Sequence, residues 1–308
     1  MILRHQVTGE EGGSPLLFIL RQRMGLSSAA VKALKRNGGL EVDGVLRFTN
    51  YLVSEGEIVT ANVAHSEDES DNLPEEGEIE ILFEDEGLIA VNKPSGLIVH
   101  PSHSRNHGTL SNFVAGYLAQ SGRPICHIVN RLDRDTSGVV LFAKNAHMKS
   151  KAVTALQAGE KRYTALIFGG LDPRSGTIDL PIRRLQPRDM LRIAAPDGKR
   201  AVTHYRTAAE GIIAGRTCSV LEITLETGRT HQIRVHCLAQ GAPLAGDPLY
   251  FTAESQAWGA ALGLKHQLLH SHSLSFCHPQ TREQITLRGP IRDAGFLGLL
   301  DQLACSHV

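Results

Sequence analysis

Four charged residues in one short turn are the part of this 308-residue sequence best suited to do chemistry. Arg131, Asp133, Arg134 and Asp135 follow a short apolar run and precede a second one, Val139–Ala143, so two strands are predicted to flank the turn. A carboxylate beside guanidinium groups stays ionised when partly buried, and an ionised carboxylate is a potential nucleophile. The simpler interpretation is a solvated turn with local ion pairs.

The whole string R-L-D-R-D-T-S-G at 131–138, followed by a hydrophobic strand, resembles the catalytic motif of the RluA-type pseudouridine synthases. This resemblance implies that Asp133 is the nucleophile and that Arg131 contacts RNA by filling the space left by an extruded base. Asn130 stands where many members of that family carry His.

Further segments match the same family in chain order: K-P-x-G-L-x-V-H-P at 93–101, K-x-Y-x-A at 161–165, G-K-x-A-x-T-x-Y at 198–205 and G-R-T-H-Q-I-R-V-H at 228–236. The resemblance therefore extends over about 14–290. It implies that Tyr163 lies in the active site against the target base, although a Tyr in a strand is more often a core residue.

Arg229 lies where an alternating strand, Val220–Glu226, leads into a helix that ends at Gly241. A strand-to-helix corner can direct a guanidinium at a carboxylate, and only Arg offers a planar fork of two donors that stays charged. We therefore predict that Arg229 is a catalytic residue. The alternative is a purely structural clamp.

The implied reaction detaches uridine at its glycosidic nitrogen, turns the base and rejoins it through carbon 5. No cofactor is expected, because an enzyme nucleophile can hold one fragment while the other rotates. Two sites of attack by Asp133 remain open, the anomeric carbon of the ribose and ring carbon 6. The target base must leave its stack, which costs a few kcal/mol.

The formal net charge of zero conceals a segregation of charge along the chain. Residues 67–86 contain eleven acidic residues and no Lys or Arg, whereas residues 87–308 contain 25 basic and 15 acidic residues. A basic body joined to an acidic tether is typical of a protein that binds a polyanion. A merely basic enzyme is the alternative to a nucleic-acid partner.

Near the N-terminus, Ser14–Met24 and Ser28–Asn37 are predicted helices, the second capped by Ser27. With the strand and turn that end at Gly44, they resemble the S-four RNA-binding domain, named after a small-subunit ribosomal protein. The expected RNA-binding side chains are Arg21, Lys32, Lys35 and Arg36. The alternative is a small helical cap with a solvated basic face.

The sequence predicts three parts: an S-four-like domain at 1–65, an acidic linker at 66–78 and a catalytic domain at 79–308. The resemblance implies an α+β fold with a mixed, largely antiparallel central sheet, flanking helices and an RNA cleft. The small N-terminal domain is expected to be an α/β RNA-binding module. The expected partner is structured RNA, ribosomal or transfer RNA, bound by a monomer.

Several classes of protein are disfavoured. No apolar run approaches the ~20 residues needed to cross a bilayer, and the start of the chain lacks the apolar segment of a signal peptide. The five cysteines are scattered with no C-x-x-C pair, which fits reduced thiols in a cytoplasm and argues against structural zinc. His100, His103 and His107 lie in a Ser/Asn/Gly-rich loop, so no metal site is expected.

Three other functions compete with a synthase. A non-catalytic RNA-binding protein would keep the basic surfaces but need not keep Asp133, Tyr163 and Arg229 together. An aspartic protease is suggested by D-T-S-G at Asp135, but that family needs Gly directly after Thr or Ser. A glycosidase needs a second carboxylate as the acid, and no partner motif is present.

Overall fold

The structure, a computed structural model, describes residues 2–62, 73–101, 106–187 and 189–305. The described strands form a four-stranded sheet, a ten-stranded sheet and a two-stranded hairpin. Of the predicted linker, residues 66–72 lie outside the described residues. No helix in the described ranges is both long and apolar enough to cross a membrane.

The small sheet belongs to residues 2–62. Its order is β1 (Ile2–Gln6), β4 (Ile58–Asn62), β2 (Leu40–Val42) and β3 (Val45–Leu46), all antiparallel. A 3₁₀ turn (Gly9–Glu11) precedes the predicted helices, which are present as α1 (Leu16–Phe18), its π-helical continuation (Ile19–Arg23) and α2 (Ser28–Asn37). The Ser27 side chain accepts from the backbone N–H of Ala30, and Gly38 ends α2 in the left-handed conformation, both as the sequence predicts.

The large sheet carries the motifs. Its spatial order is β10 (Ser175–Asp179), β13 (Val202–Ile213), β14 (Arg216–Leu225), β9 (Glu160–Phe168), β15 (Leu269–Cys277), β8 (Ser137–Ala143), β6 (Leu88–Lys93) and β5 (Glu80–Glu84). β7 (His127–Ile128) pairs with β8, and β16 (Gln284–Arg288) pairs with β15. Only the β8–β15 pair is parallel among these described strands, so the expected largely antiparallel α+β sheet is confirmed.

Strand β8 is buried on both faces because it is a continuous apolar run. Val139 and Leu141 face one core cluster while Val140 and Phe142 face another on the opposite side of the sheet. At the start of β8, Gly138 has φ 112° and lies against the backbone of Ser271 in β15. A Cβ at this position would stand 2.2 Å from the Ser271 carbonyl oxygen, so the close approach of the two strands requires Gly.

In the part of the chain that the structure describes, five further helices cover the two faces of the large sheet: α3 (Leu110–Ala119), α4 (Ala146–Ala158), α5 (Gln232–Ala239), α6 (Ala253–Ala261) and α7 (Ala294–Cys305). Helices α3 and α5 pack in clusters that both contact Leu132, the residue before Asp133. Helices α4, α6 and α7 pack in the other clusters of the sheet. The Asp133 turn therefore lies on the α3–α5 face.

The two-stranded hairpin consists of β11 (Ile182–Arg184) and β12 (Arg192–Ala194). Its base packs in a small cluster with Val235 of α5 and with Tyr250. The Arg-rich stretch of the sequence at 176–207 is divided between this hairpin and the strands β10 and β13.

Candidate active site

The turn that carries Asp133 is fixed to the strand that follows it. The Asn130 amide donates to the Val139 carbonyl at 3.1 Å and accepts from the Leu141 backbone N–H at 2.7 Å. The Thr136 backbone N–H donates to the Asp133 carbonyl at 3.1 Å. Asn130 therefore holds both ends of the turn together, which explains how an amide serves at the position where the resemblance leads us to expect His.

Lys93, at the end of β6, stabilises the turn through hydrogen bonds from its ammonium group. Its side chain is 1% exposed, and Nζ donates to the carbonyls of Pro94, Leu97 and Arg134 at 2.7–2.8 Å. Burial lowers the pKa of Lys93 to about 7, against the opposing charges of Asp135 and Asp133. Three carbonyl acceptors match the three hydrogens of an ammonium group, so this geometry favours the charged form.

Asp133 is paired with a guanidinium from helix α5. Arg234 Nη1 donates to Asp133 Oδ2 at 3.2 Å, across 101 positions of sequence. The Asp133 side chain is 25% exposed, so it is open to a ligand, whereas Arg234 is 4% exposed. The carboxylate therefore lies at the boundary between solvent and a buried cation.

A second carboxylate holds Arg234 in place. The Asp247 carboxylate accepts hydrogen bonds from Nε and Nη2 of Arg234 at 2.7 Å each, and the Asp247 side chain is fully buried. Asp247 also accepts from the backbone N–H groups of Leu249 and Tyr250. Burial opposes the charge on Arg234, but the hydrogen bonds and charges of Asp247 and Asp133 raise its pKa, so it is always charged. This fork leaves Nη1 directed at Asp133.

His231 and Tyr250 complete the surroundings of Asp133. The Tyr250 Oη accepts from the Arg192 backbone N–H at 2.8 Å and lies 2.8 Å from His231 Nδ1. The Tyr250 hydroxyl and His231 Nδ1 thus share one hydrogen bond, and His231 Nε2 lies 3.9 Å from Asp133 Oδ2. Burial lowers the pKa of His231, while the Asp133 charge opposes this shift. The imidazole is therefore neutral near pH 7, with Nε2 on the side of the carboxylate.

Tyr163 lies in the middle of β9, next to β14 and β15. It is 9% exposed and belongs to the cluster that contacts Leu132. Burial raises the pKa of Tyr163 to about 12; the neighbouring Ser271 side chain opposes the shift and the Asp133 charge adds to it. The Tyr163 hydroxyl is therefore protonated at neutral pH and close enough to Asp133 to sense its charge.

Arg229 does not make the contact that the sequence predicts. Its Nε donates to the backbone carbonyl of Arg200 at 2.9 Å, its side chain is exposed, and its backbone N–H donates to Gln232 Oε1. The guanidinium beside Asp133 is that of Arg234, five residues later in the same motif. The reason is that α5 starts at Gln232, so Arg229 lies in the exposed corner and Arg234 on the buried face.

The other predicted residues of the turn are placed as follows. Arg131 is exposed next to the Asp133 position. Arg134 pairs with Asp135 through two hydrogen bonds of 3.0 and 2.9 Å, and the Asp135 carbonyl accepts from Ser95 Oγ. Asp135 is therefore engaged within the turn, whereas the Asp133 carboxylate faces the buried cation.

The predicted N-terminal RNA-binding side chains lie in the small-sheet region. Arg21 and Lys35 are exposed, and Arg21 donates to Ser28 Oγ. The side chains of Lys32 and Arg36 lie outside the described residues, although both belong to α2. Arg23, in contrast, pairs with the buried Glu11 at 2.6 Å.

The histidines of the Ser/Asn/Gly-rich loop do not form a described cluster. His107 pairs with Glu75 at 2.5 Å, and His103 lies outside the described residues. Within the described ranges, no group of three or more His, Cys, Asp or Glu side chains is arranged to hold a metal ion.

Comparison with known proteins shows which family the chain belongs to. A family model described as RNA pseudouridylate synthase matches residues 87–239, which contain Asp133, Tyr163 and Arg234. An uncharacterised RNA pseudouridine synthase of Bacillus subtilis, YhcT, is 35% identical over 290 residues, covering 92% of each chain. The chain belongs to the RNA pseudouridine synthase family.

Other members of the family agree in sequence and fold. The ribosomal large subunit pseudouridine synthase D of Xanthomonas campestris is 37% identical over 269 residues, covering 83% of this chain and 78% of the relative. The solved structure of human RNA pseudouridylate synthase domain containing 1 superposes with a TM-score of 0.57 at 23% identity, over 78% of this chain. The chain is thus an enzyme of the pseudouridine synthase class, and the human structure shares its fold.

Sequence reasoning missed four residues that surround the predicted nucleophile: Lys93, His231, Arg234 and Asp247. Lys93, His231 and Arg234 lie in the family motifs given above, and Asp247 lies in the segment 246–250, which also resembles the family pattern, but the roles of all four depend on long-range contacts. One signal was available for Arg234, since Ile233, Val235 and Cys237 around it are apolar and predict burial of that part of the helix.

Proposed function

We propose that this protein isomerises specific uridines of large-subunit ribosomal RNA to pseudouridine, with Asp133 as the nucleophile. The observation that carries the proposal is the Asp133 carboxylate itself, which is 25% exposed and accepts at 3.2 Å from Arg234. Arg234 is fixed by Asp247, so its position does not depend on a bound ligand. A preorganised ion pair of this kind stabilises developing charge without rearrangement.

The reaction adds and removes no atoms overall. The bond between uracil N1 and the anomeric carbon breaks, a bond from C5 to that carbon forms, C5 loses a proton and N1 gains one. Asp133 forms a covalent bond to one fragment, at the anomeric carbon or at ring carbon 6, while the uracil turns. Arg234 balances the carboxylate charge when Asp133 is released, and no cofactor is needed.

We assign Tyr163 two roles in this scheme. Its ring offers an aromatic face to the extruded uracil, and base stacking of this kind contributes about 1–3 kcal/mol. Its hydroxyl, whose pKa burial raises to about 12, accepts the C5 proton only as its own proton passes to an acceptor. We assign the Asp133 carboxylate, whose charge acts on Tyr163, as this acceptor once it is released from the fragment; Asp133 then loses the proton to solvent, and N1 takes one from solvent.

Two further parts of the proposal concern the substrate. Several relatives at 35–37% identity are named ribosomal large subunit pseudouridine synthase D, which favours large-subunit ribosomal RNA over transfer RNA. Residues 1–65 are proposed to be an S-four-like RNA-binding domain, tethered through 66–78 to a catalytic domain at 79–308. We further propose that the enzyme acts as a monomer in the cytoplasm and that Arg131 fills the site of the extruded base.

The proposal is tested by incubating the purified protein with ribosomal RNA that lacks pseudouridine, followed by chemical labelling of pseudouridine and mapping. We expect new pseudouridines at one or a few positions of the large-subunit RNA. A protein that binds this RNA but forms no pseudouridine would be a non-catalytic RNA-binding protein. Modification of transfer RNA alone would overturn the substrate but not the reaction.

A further inference from the structure

A serine of β15 lies beside the tyrosine that the proposed mechanism uses. In the register of β15 against β9, Ser271 is the partner of Tyr163, and the pairing shifts directly afterwards, so that Ser273 is the partner of Arg162. The extra residue between the two serines, His272, is exposed, whereas both serines are buried. A β-bulge of this kind changes the direction of the side chains around it and is common next to active sites. The bulge therefore draws attention to the Ser271 side chain.

The Ser271 hydroxyl is buried without a fixed partner. The residue is 0% exposed, and within the described residues its Oγ forms no hydrogen bond. On the other side of Ser271, β15 pairs with Gly138 of β8, which contributes no side chain that could hold the hydroxyl. A buried hydroxyl that forms no hydrogen bond destabilises the fold, so its presence calls for an explanation.

The Tyr163 hydroxyl is close enough to respond to that of Ser271. Burial raises the pKa of Tyr163 to about 12, and the charge of Asp133, in the neighbouring turn, adds to this shift. Ser271 acts in the opposite direction, because a hydrogen bond from its hydroxyl favours the deprotonated phenol. Ser271 therefore helps Tyr163 to give up its proton, which is what the proposed transfer from C5 requires.

We propose that Ser271 is a positioning residue for removal of the C5 proton, and that its hydroxyl donates to Tyr163 Oη as negative charge develops on that oxygen. The C5 proton passes to Tyr163 Oη while the phenolic proton passes to the Asp133 carboxylate, and Ser271 keeps its own proton throughout. A donor that is already buried beside the oxygen stabilises this charge without rearrangement of solvent. The inference rests on the proposed function, because it concerns one step of that reaction.

The test compares proton removal with the steps that precede it. In Ser271→Ala, tritium release from RNA labelled at C5 of its uridines should fall roughly tenfold, because a hydrogen bond to a developing charge is lost. An RNA with 5-fluorouridine at the target position has no proton at C5, so its covalent reaction with Ser271→Ala should keep the wild-type rate. Ser271→Cys, which keeps a weak donor, should recover part of the tritium release.

Ser273→Ala is the matched control for these rates. Ser273 is 4% exposed and lies in the same strand, but its partner in β9 is Arg162 and not Tyr163. Both rates should therefore stay at the wild-type value in this variant. The midpoint of urea unfolding should not fall in Ser271→Ala, because the hydroxyl that is removed has no partner to lose.

A spectroscopic readout does not depend on turnover. With 3,5-difluorotyrosine at position 163, whose phenol titrates at lower pH than that of tyrosine, fluorine NMR follows the ionisation of this one side chain in the protein without RNA. Ser271→Ala should raise the pKa of the fluorinated phenol, whereas Ser273→Ala should leave that pKa unchanged.

Three results would overturn the role of Ser271: tritium release by Ser271→Ala at the wild-type rate, an equal loss of rate with the 5-fluorouridine RNA, or an unchanged pKa of the fluorinated phenol. Failure of the wild type to form pseudouridine in any RNA would instead overturn the proposed function. In that case the NMR titration would still decide whether Ser271 acts on Tyr163.

Discussion

Lys93 is the residue whose burial most needs explanation, because an ammonium group is seldom excluded from water. Its three hydrogens are donated to carbonyls, one of them that of Arg134, directly after Asp133. The negative charges of Asp133 and Asp135 lie close enough to oppose the effect of burial on its pKa. Lys93 thus ties the end of β6 to the turn that carries the nucleophile.

Replacing Lys93 by Met should lower kcat by at least roughly tenfold, with RNA affinity little changed, because the Asp133 turn loses its support from below. The stability lost in Lys93→Met should also be larger at pH 9 than at pH 7. The pKa of Lys93 is about 7 in the folded protein and 10.5 in the unfolded chain. Between these two pH values the unfolded state therefore binds more protons than the folded state. Wild-type stability therefore gains from Lys93 as pH rises.

Urea unfolding of wild type and Lys93→Met at the two pH values measures this difference, and single-turnover kinetics measure the rate. A pH-independent loss of stability, together with a wild-type kcat, would mean that Lys93 neither titrates in this range nor supports catalysis.

Tyr163→Phe separates the aromatic ring from the hydroxyl. The ring remains, so RNA binding and base extrusion should survive, and Asp133 should still attack. Loss of the C5 proton should stall, because the hydroxyl that accepts it is missing. The measurement is tritium release from RNA labelled at C5 of its uridines, run beside a binding assay.

Tyr163→Leu is the comparison variant, because it removes the aromatic face as well. It should bind the RNA measurably more weakly than Tyr163→Phe, by up to the ~1–3 kcal/mol of one stacked base. Tritium release by Tyr163→Phe at the wild-type rate would remove the hydroxyl from the mechanism and leave Tyr163 as a stacking surface.

At the scale of elements, the contact between β8 and β15 sets the position of the Asp133 turn. Gly138 permits this contact, since its φ of 112° and its distance from the Ser271 carbonyl exclude a Cβ. Gly138→Ala should destabilise the fold by roughly 2–4 kcal/mol through backbone strain and a shift of β8. Gly298→Ala is the control, because Gly298 lies in α7 with open space around it and should stabilise slightly.

Urea unfolding of the two variants measures both effects. If Gly138→Ala is as stable as wild type, the two strands separate more easily than their geometry indicates, and the turn is not fixed by this pairing.

Elements with local signals were predictable from sequence. The caps Ser27 and Thr109 mark the starts of α2 and α3, and the alternation of Leu221, Ile223 and Leu225 marks β14. In contrast, β1 was not predicted, because its side chains are exposed or half-buried and it becomes a strand only by pairing with β4. Helix α6 has no such signal either, since its buried residues are Ser255, Trp258 and Gly259, only one of which has a large apolar side chain.

The same distinction between local and long-range signals applies to the site. The motif around Asp133 pointed to the turn, but chain order does not reveal which Arg of 228–236 reaches across 101 positions to the carboxylate. That choice depends on where α5 begins: His231 adopts a left-handed conformation, φ 58°, immediately before the helix. Tertiary structure decides which Arg lies in the exposed corner and which on the buried face, so the sequence predicts Arg229 at the carboxylate where the structure has Arg234.

At the scale of the whole molecule, the part that contains the small sheet is nearly neutral, whereas residues 87–308 are strongly basic. Residues 1–66 carry seven basic and six acidic residues, and Arg23 is neutralised by the buried Glu11. The proposed phosphate contacts of this part are therefore the side chains of Arg21, Lys32, Lys35 and Arg36 rather than its net charge. We therefore predict that residues 1–66 contribute only modestly to RNA binding and that this contribution depends on those four side chains.

Deleting residues 1–66 should weaken RNA binding and make its salt dependence shallower. Each lost phosphate contact reduces the slope of log affinity against log salt by roughly 0.7–0.9, so four contacts would change it by about 3. Binding isotherms over a salt series, for the full chain and the truncated one, measure the slope. An unchanged slope would mean that the N-terminal part is only a cap.

The account as a whole depends on Asp133, and Asp135 in the same turn provides a matched control. Asp135 pairs with the exposed Arg134, whereas Asp133 faces the buried Arg234. The most direct measurement is single-turnover formation of pseudouridine by Asp133→Asn and Asp135→Asn, with RNA affinity measured in parallel. We predict no detectable product from Asp133→Asn at near wild-type affinity, and a mild loss of rate from Asp135→Asn. Product formation by Asp133→Asn at a rate close to wild type would contradict the assignment of the nucleophile.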